Sequence, residues 1–222
     1  MEKSNISLGT GIFTVKDASL ILNIPVINIG LWIKKYWENE FSIENSFEYT
    51  SGLKNEKVFN FYTLIELLTV SALREVGLSF KKIKIAHNQL SHILNTPYPF
   101  AKKHIVTDGK NVWSDELESF LKLDQSEQFH FYEILKPFLK KLEYEEKTQF
   151  AARYWPLGVG KAIVVDPLHR FGEPILKGTN ISVDVLWNFI QANEPLEYLS
   201  KIYDVPISDL ESVQDFYSQN AA

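Results

Sequence analysis

The chain has 222 residues, of which 45% are hydrophobic and 14% aromatic, and its formal net charge is −5. This length has room for one large domain or two modest ones, and the apolar fraction is enough for packed cores. The net charge argues against binding nucleic acid over the whole surface but leaves a local basic face open.

Residue types exclude several kinds of site and location. The chain has no cysteine, which excludes disulfides, thiolate zinc sites and cysteine nucleophiles. Residues 1–11 are polar and lack the pattern of a signal peptide. No apolar run approaches the roughly 18 residues that a membrane helix needs. We therefore expect a soluble cytoplasmic protein without membrane contact.

Charge is distributed unevenly along the chain. Residues 1–100 carry ten Lys/Arg and nine Asp/Glu, whereas residues 161–222 carry four and nine. This asymmetry indicates that the two ends meet different partners. The acidic C-terminal end would suit a basic protein partner, with a merely solvated acidic surface as the alternative.

The first two predicted helices have the spacing of a helix-turn-helix. Thr14 is predicted to cap the first helix, with Asp17 in its first turn. Pro25 is predicted to take the first position of the second helix. The side chains expected to face inward are Val15, Ala18 and Leu22, then Ile29, Trp32, Ile33 and Tyr36.

The opposite face of the second helix is the candidate DNA-reading surface. In such a surface Asn28 can pair with an adenine edge, while Lys34 and Lys35 meet phosphates. The face has no arginine, so a helix pair used for protein contact is the alternative interpretation. Its residues are Ile27, Gly30, Leu31 and Lys34, flanked by Asn28 and Lys35.

Residues 41–58 are predicted to form a wing, in which Phe41, Phe47 and Tyr49 alternate with polar residues before a turn at Ser51-Gly52. Lysines in this loop could reach a phosphate backbone. The candidate DNA-binding residues are therefore Lys16, Asn28, Lys34, Lys35, Lys54 and Lys57.

Two further helices follow the wing. Thr63 to Glu66 has the pattern of a capping box and is predicted to open a helix that ends at Val76, before Gly77. Ser79 is predicted to cap the next helix, which ends before Pro97. Its inward residues are Phe80, Ile83, Ala86 and Leu90.

The order helix, turn, helix, wing and Thr-Leu-Ile-Glu helix, followed by Gly77-Leu78-Ser79 and Ile83, resembles the MerR family of winged-helix regulators. The resemblance covers residues 11–95. It implies that this part is a MerR-like winged helix-turn-helix domain that binds DNA.

A connector is assigned to residues 96–148. Asp108-Gly109 predicts the turn of a β-hairpin over residues 105–113, and a helix is expected around residues 128–142. Residues 149–157 and 161–165 are expected to pair as strands across a Gly-Val-Gly turn. With the trihelical end described next, the chain is predicted to be mainly α with small β-hairpins.

The C-terminal end begins with short apolar runs separated by Asp-Pro, Phe-Gly-x-Pro and Gly-Thr, which predict short strands joined by tight turns. From Ser182 onward the spacing becomes helical. Three short helices are predicted, starting at Ser182, at Pro195 and at a capping-box pattern over residues 208–211. Such a trihelical module can itself be a helix-turn-helix, although its acidity argues against DNA contact.

Residues 161–217 resemble the bacterial domain of unknown function 433, which occurs largely among antitoxins, and Asn180 stands where this family commonly has arginine. The MerR-like front combined with this tail resembles VapB-type antitoxins paired with PIN-like ribonuclease toxins. The resemblance implies a dimeric repressor whose C-terminal module, residues 149–222, binds the toxin. Within the signature, Phe171, Glu173 and Asn180 are the expected partner-binding residues.

No pattern of catalytic or metal-binding residues is found. His87 and His92 are five residues apart on one predicted helix and cannot share a metal as an i, i+4 pair could. Asp166 and Glu173 are a conceivable acid pair, but Asp before Pro favours a turn, and a Glu between Gly and Pro usually faces solvent. We therefore expect no enzyme activity and no cofactor or metal.

The function that fits these patterns is a DNA-binding antitoxin that represses its own operon, with operator DNA and a PIN-like toxin as partners. One alternative is a protein-interaction module that has lost DNA readout. The other is a MerR-like regulator without a toxin partner, although no long heptad run follows residue 80 to form its dimerising helix.

Overall fold

The structure is a computed structural model that describes residues 10–53, 56–75, 77–103, 137–138 and 140–219. In these residues the chain is mainly helical with three small antiparallel sheets, as the sequence predicts for the fold class. The predicted hairpin over 105–113 and most of the predicted helix over 128–142 lie outside the described residues.

The predicted helix-turn pattern at the front is present. Strand β1 (Phe13–Thr14) leads into α1 (Val15–Leu22), and Thr14 and Asp17 form a reciprocal capping box at its start. Helix α2 spans Val26–Trp32. Pro25 is the cap residue of α2, one position earlier than predicted, because its ψ of 132° is not helical.

Helix α2 continues without a break into a π-helix (Ile33–Phe41) and a short α3 (Ser42–Asn45). The wing prediction was therefore wrong at its start, since Phe41 belongs to the helical run. The buried residues Ile33, Trp37 and Phe41 recur every four positions and extend the inward stripe beyond Tyr36.

A three-stranded sheet joins the front of the chain to the hairpin that follows. Strands β2 (Thr50–Ser51) and β3 (Val58–Phe59) are antiparallel, and β3 lies in the middle with β1 on its other side. Phe13 lies opposite Phe59. Both side chains are buried, which holds the hairpin against the start of α1.

Helices α4 (Phe61–Glu75) and α5 (Phe80–Leu94) form the centre of the larger core. The predicted cap at Thr63 was wrong: Asn60 caps α4, and its Oδ1 accepts hydrogen bonds from both the backbone and the hydroxyl of Thr63. The predicted break at Gly77 and cap at Ser79 are both present. Val76 lies outside the described residues.

Glu66, predicted as part of the capping box, lies in the core instead. Its carboxylate is 2.8 Å from Nε2 of His87 on α5 and accepts a hydrogen bond from the backbone of Phe100. The imidazole also stacks on Phe41 with a ring-centre distance of 4.0 Å. This pair thus links α4, α5, the π-helix and the 3₁₀ turn at Pro99–Ala101.

The middle strands pair differently from the prediction. Strand β4 (Leu142–Tyr144) pairs with β5 (Ala151–Tyr154), so Leu142 is not the end of a helix. Strand β6 (Ile163–Val164) pairs with β7 (Ile175–Leu176). Across the Gly-Val-Gly turn only a bridge between Tyr154 and Val165 forms in the described residues.

Three short helices follow in the described part of the chain: α6 (Val183–Gln191), α7 (Leu196–Tyr203) and α8 (Ile207–Ser218). They enclose a second core with β6 and β7. The capping box predicted over residues 208–211 was wrong, because α8 begins at Ile207 after Pro206. Ser182 is the cap residue of α6, but its hydroxyl bonds Glu173 rather than the helix.

The buried Glu66–His87 pair yields a stability prediction. Replacing His87 by leucine should lower the free energy of unfolding by about 3–5 kcal/mol, because the buried carboxylate loses its partner. His92→Leu on the same helix is the matched control and should change it by less than about 0.5 kcal/mol, because His92 is exposed. Urea unfolding followed by circular dichroism measures both, and equal stability of the two variants would contradict the prediction.

Candidate functional sites

Three of the predicted DNA-binding lysines line one open cavity of about 900 Å³ at the front of the chain. Lys16 comes from α1, Lys34 from the π-helix and Lys57 from the residues before β3. Three separate interactions position these elements. The capping box fixes the start of α1, the buried stripe packs the π-helix against the core, and β3 is held by its pairing with β1.

Acidic residues reduce the positive charge of this cavity. Lys57 forms an ion pair with Glu38 at 3.1 Å, and Glu38 also accepts a hydrogen bond from Thr50. Glu56 lines the same cavity. Lys16 and Lys34 therefore contribute most of the positive potential that a phosphate would meet here.

The remaining predicted DNA-binding residues are placed around α2 or lie outside the described residues. Asn28 and Lys35 are exposed, and the ammonium of Lys35 lies 5.3 Å from the ring centre of Tyr36. Lys54 lies outside the described residues. The structure thus groups Lys16, Lys34 and Lys57 at one cavity and puts Asn28 and Lys35 on the exposed surface of the helical run.

The exposed face of α2 carries large apolar side chains at its centre. Ile27 is 74% exposed and Leu31 is 60% exposed, whereas Ile29 between them is fully buried. Helix α2 has no charged residue of its own, since the two lysines come after it in the π-helix. This face can make apolar contacts flanked by cationic ones.

At the other end of the chain, Phe171 lies in a 3₁₀ turn (Arg170–Gly172) with unusual backbone geometry. Arg170, Phe171 and Gly172 all have positive φ angles, of 45°, 57° and 90°. The left-handed region costs a non-glycine residue roughly 1–2 kcal/mol. The turn exposes 60% of the Phe171 side chain, as a contact residue requires.

The same turn is held against the front of the chain. The backbone N–H of Ile12 donates to the carbonyl oxygen of Phe171 at 2.8 Å. A Cβ added to Gly172 would lie 2.3 Å from the ring of Phe13, so the glycine permits this close approach. Leu20 of α1 also packs on the C-terminal core.

Glu173, the second expected partner-binding residue, already has internal partners. One carboxylate oxygen accepts from the hydroxyl of Ser182, and the other accepts from Nε of Arg170 at 2.7 Å. These bonds tie the 3₁₀ turn to the start of α6. Glu173 therefore shapes the turn that presents Phe171.

Asn180, the third expected partner-binding residue, is exposed at the rim of a cavity of about 440 Å³. The buried carboxylate of Asp166 accepts from Nε of Arg153 at 2.7 Å and lies 3.2 Å from Nδ1 of His169. The hydrogen bond to Asp166 raises the pKa of the Arg153 guanidinium. Asp166 thus positions the side chains that line this cavity. Because Asp166 and Glu173 bind different partners, the two carboxylates do not act as the conceivable acid pair.

The C-terminal helices also expose apolar side chains among acidic ones. Phe189 of α6 contacts Tyr203 of α7, with ring centres 6.2 Å apart. Asp184, Glu197 and Asp204 are exposed on or beside the same helices. The exposed apolar residues are Val185, Phe189, Tyr198, Ile202 and Ile207.

Two features are absent from the described ranges. There, no group of three or more His, Asp or Glu side chains is placed to hold a metal ion. No helix in the same ranges is both long enough and apolar enough to cross a membrane. His104 and His130 lie outside these ranges.

Sequence reasoning missed the residues around Asn180. Arg153, His169 and Lys177 line its cavity, yet they come from β5 and two separate turns. The only local signal was Asp166 before Pro167, which indicated a turn, and its Oδ1 does accept from the backbone of Leu168.

Comparisons with known proteins bear on both ends of the chain. The family model described as protein of unknown function (DUF433) matches residues 163–217. Over 224 residues the chain is 20% identical to "Putative antitoxin VapB45" of Mycobacterium tuberculosis, covering 92% of each protein. The crystal structure of Rv2018 from Mycobacterium tuberculosis aligns with a TM-score of 0.69 and 17% identity, covering 91% of this chain and 96% of that one.

A further similarity is partial. The chain is 33% identical over 116 residues to a UDP-N-acetylmuramoylalanine–D-glutamate ligase of Prochlorococcus marinus, covering 45% of this chain but only 24% of the ligase. So small a share of an enzyme carries no activity across. The likeness to Rv2018 shows a common fold. The DUF433 match and the similarity to VapB45 support an antitoxin-like family and a role related to toxin–antitoxin systems.

The contact between Gly172 and Phe13 gives a second stability prediction. Gly172→Ala should lower the free energy of unfolding by about 1–3 kcal/mol more than Gly178→Ala, because only the first methyl group collides with a buried ring. Gly178 is the matched control: its φ is also positive, at 76°, and an added Cβ meets nothing within 4 Å. Urea unfolding measures the difference, and equal losses would show that Phe13 does not need this space.

Proposed function

We propose that this chain is a DNA-binding antitoxin that represses its own operon and neutralises a PIN-like ribonuclease toxin by direct binding. The observation that carries the proposal is the convergence of Lys16, Lys34 and Lys57 beside the exposed face of α2. The similarity to VapB45, which extends over both ends of the chain, also supports the proposal. Its site of action would be the cytoplasm, where operator and toxin both occur.

The DNA-binding half is supported by the order and packing of the front elements. Helix α1, a turn and α2 are followed by the β2–β3 hairpin, which is the order of a winged helix-turn-helix. In this arrangement α2 would enter the major groove and the hairpin would lie along the backbone. Lys16, Lys34, Lys35, Lys57 and Lys54 would then contact phosphates, and Asn28 would meet a base edge.

The toxin-binding half is supported by the chemistry of the tail. Residues 161–222 carry nine acidic and four basic side chains, and their helices expose several apolar residues. Mixed apolar and acidic surface suits a partner with a basic rim. Phe171, Glu173 and Asn180 would form one edge of this contact. The chain would act as a homodimer that binds a two-fold symmetric operator.

Phosphate binding predicts a measurable salt effect. In electrophoretic shift assays with the DNA upstream of its own gene, wild type should bind, and removing one lysine–phosphate interaction should reduce the slope of log K against log salt by about 0.9. The triple variant Lys16→Ala, Lys34→Ala, Lys57→Ala should therefore show a slope reduced by up to about 2.7. Lys201→Ala on α7 is the control and should leave the slope unchanged.

Absence of a shift for wild type, alone or with the toxin, would reject the DNA half of the proposal. An unchanged slope in the triple variant would reject the cavity as the phosphate-binding surface.

Toxin binding is tested with the product of the adjacent reading frame. Phe171→Ala should weaken its capture by the full-length chain about tenfold, because exposed aromatic anchors dominate such interfaces. Leu168→Ala is the matched control, since Leu168 is 75% exposed three residues earlier in the same segment. Isothermal calorimetry measures both affinities, and a wild-type affinity in the Phe171→Ala variant would remove Phe171 from the interface.

A second function is favoured by one observation. Ile27 and Leu31 are exposed on a helix that has no arginine, as expected for a protein-interaction module that has lost DNA readout. In that case wild type would not retard operator DNA, and the triple lysine variant would bind its partner as wild type does. A loss of repression in this variant would reject the second function.

A further inference from the structure

We propose that the outer face of α2 reads thymine methyl groups, so that its target duplex is recognised at A·T pairs in the major groove. This inference rests on the proposed DNA binding and adds to it the class of base that is read. The groups that would carry it are the side chains of Leu31 and Ile27, with Asn28 beside them.

The position of Leu31 on α2 is central to the inference. At about 100° per residue, Leu31 lies on the side of the helix away from the buried Ile29 and Ile33. Ile27 precedes it by one turn on the same ridge. Their exposed fractions of 60% and 74% show that no other part of the described chain covers them.

Cationic and polar side chains flank this apolar ridge on both sides. Lys34 lies toward the cavity that also contains Lys16 and Lys57. Asn28 and Lys35 lie on the other side and are exposed. A ridge that is apolar at its crest and basic at its edges matches a major groove, where bases form the floor and phosphates form the walls.

The chemistry of the groove then selects the base. The thymine C5 methyl is the apolar group that a base pair presents in the major groove, and aliphatic side chains contact it. An asparagine can bond the N6 and N7 positions of adenine in the same pair. Guanine is read mainly by arginine or lysine, and α2 contains neither, while Lys34 and Lys35 beyond its end are assigned to phosphates.

The first experiment selects duplexes from a random-sequence library with the full-length chain. The enriched site should contain A·T pairs at the positions that α2 faces. Replacing each of its thymines by deoxyuridine removes one methyl group and leaves pairing unchanged. Each contacted methyl that is removed should weaken binding about fourfold, the effect of one buried methylene-sized group.

The second experiment assigns the methyl contact to a side chain. The Leu31→Ala variant should bind the thymine duplex more weakly than wild type does. Its affinity should not fall further when deoxyuridine replaces the contacted thymine, because in a double-mutant cycle both changes remove the same contact. Ile43→Ala is the matched control, because Ile43 is 78% exposed on α3 of the same helical run. This control should bind both duplexes as wild type does.

The outcomes separate this inference from the proposal on which it rests. An enriched site whose thymine and deoxyuridine forms bind equally, or one read at guanine, would overturn methyl readout while leaving DNA binding intact. No enriched site and no shift with any duplex would overturn both, and the apolar ridge would then belong to a protein contact.

Discussion

The ring of Phe13 is the feature on which both ends of the structure depend. It is 1% exposed, lies opposite Phe59 in the front sheet, and comes so close to Gly172 that a Cβ there would be 2.3 Å from it. The neighbouring hydrogen bond from Ile12 to Phe171 fixes the same approach. One aromatic side chain therefore positions the strand before α1 and the turn that exposes Phe171.

This contact restricts how the turn and the front sheet can move relative to each other. Buried side chains pack as closely as organic crystals, so a ring without free space transmits a displacement rather than absorbing it. The left-handed backbone of Arg170 and Phe171 adds to the constraint, because such conformations persist only when surrounding contacts enforce them. Here the enforcing contacts are the bonds of Glu173 to Arg170 and Ser182.

Local signals in the sequence predicted structure well where neighbouring residues satisfy one another. The Thr14–Asp17 box, the break at Gly77 and the Ser79 cap need only a few adjacent residues, and all are present. The same reasoning failed at Thr63, because Asn60 competes for the cap and Glu66 finds His87 in the core. It also failed at Phe41, whose burial against His87 depends on a residue 46 positions away. Spacing alone cannot assign the role of a residue whose side chain can instead bind or pack against a partner distant in the sequence.

The candidate sites also differ in whether local sequence patterns could predict them. The outer face of α2 was predictable, since the periodicity that identifies the buried Ile29 and Ile33 also identifies the opposite side. The grouping of Lys57 with Lys16 and Lys34 was not, because it requires β3 to pair with β1. That pairing also brings Glu56 to the cavity and places Lys57 against Glu38 of the π-helix, and both carboxylates reduce the positive potential there. A bound duplex would therefore gain less from Lys57 than from Lys16 and Lys34, and base contacts along α2 would add to the affinity that these two lysines supply.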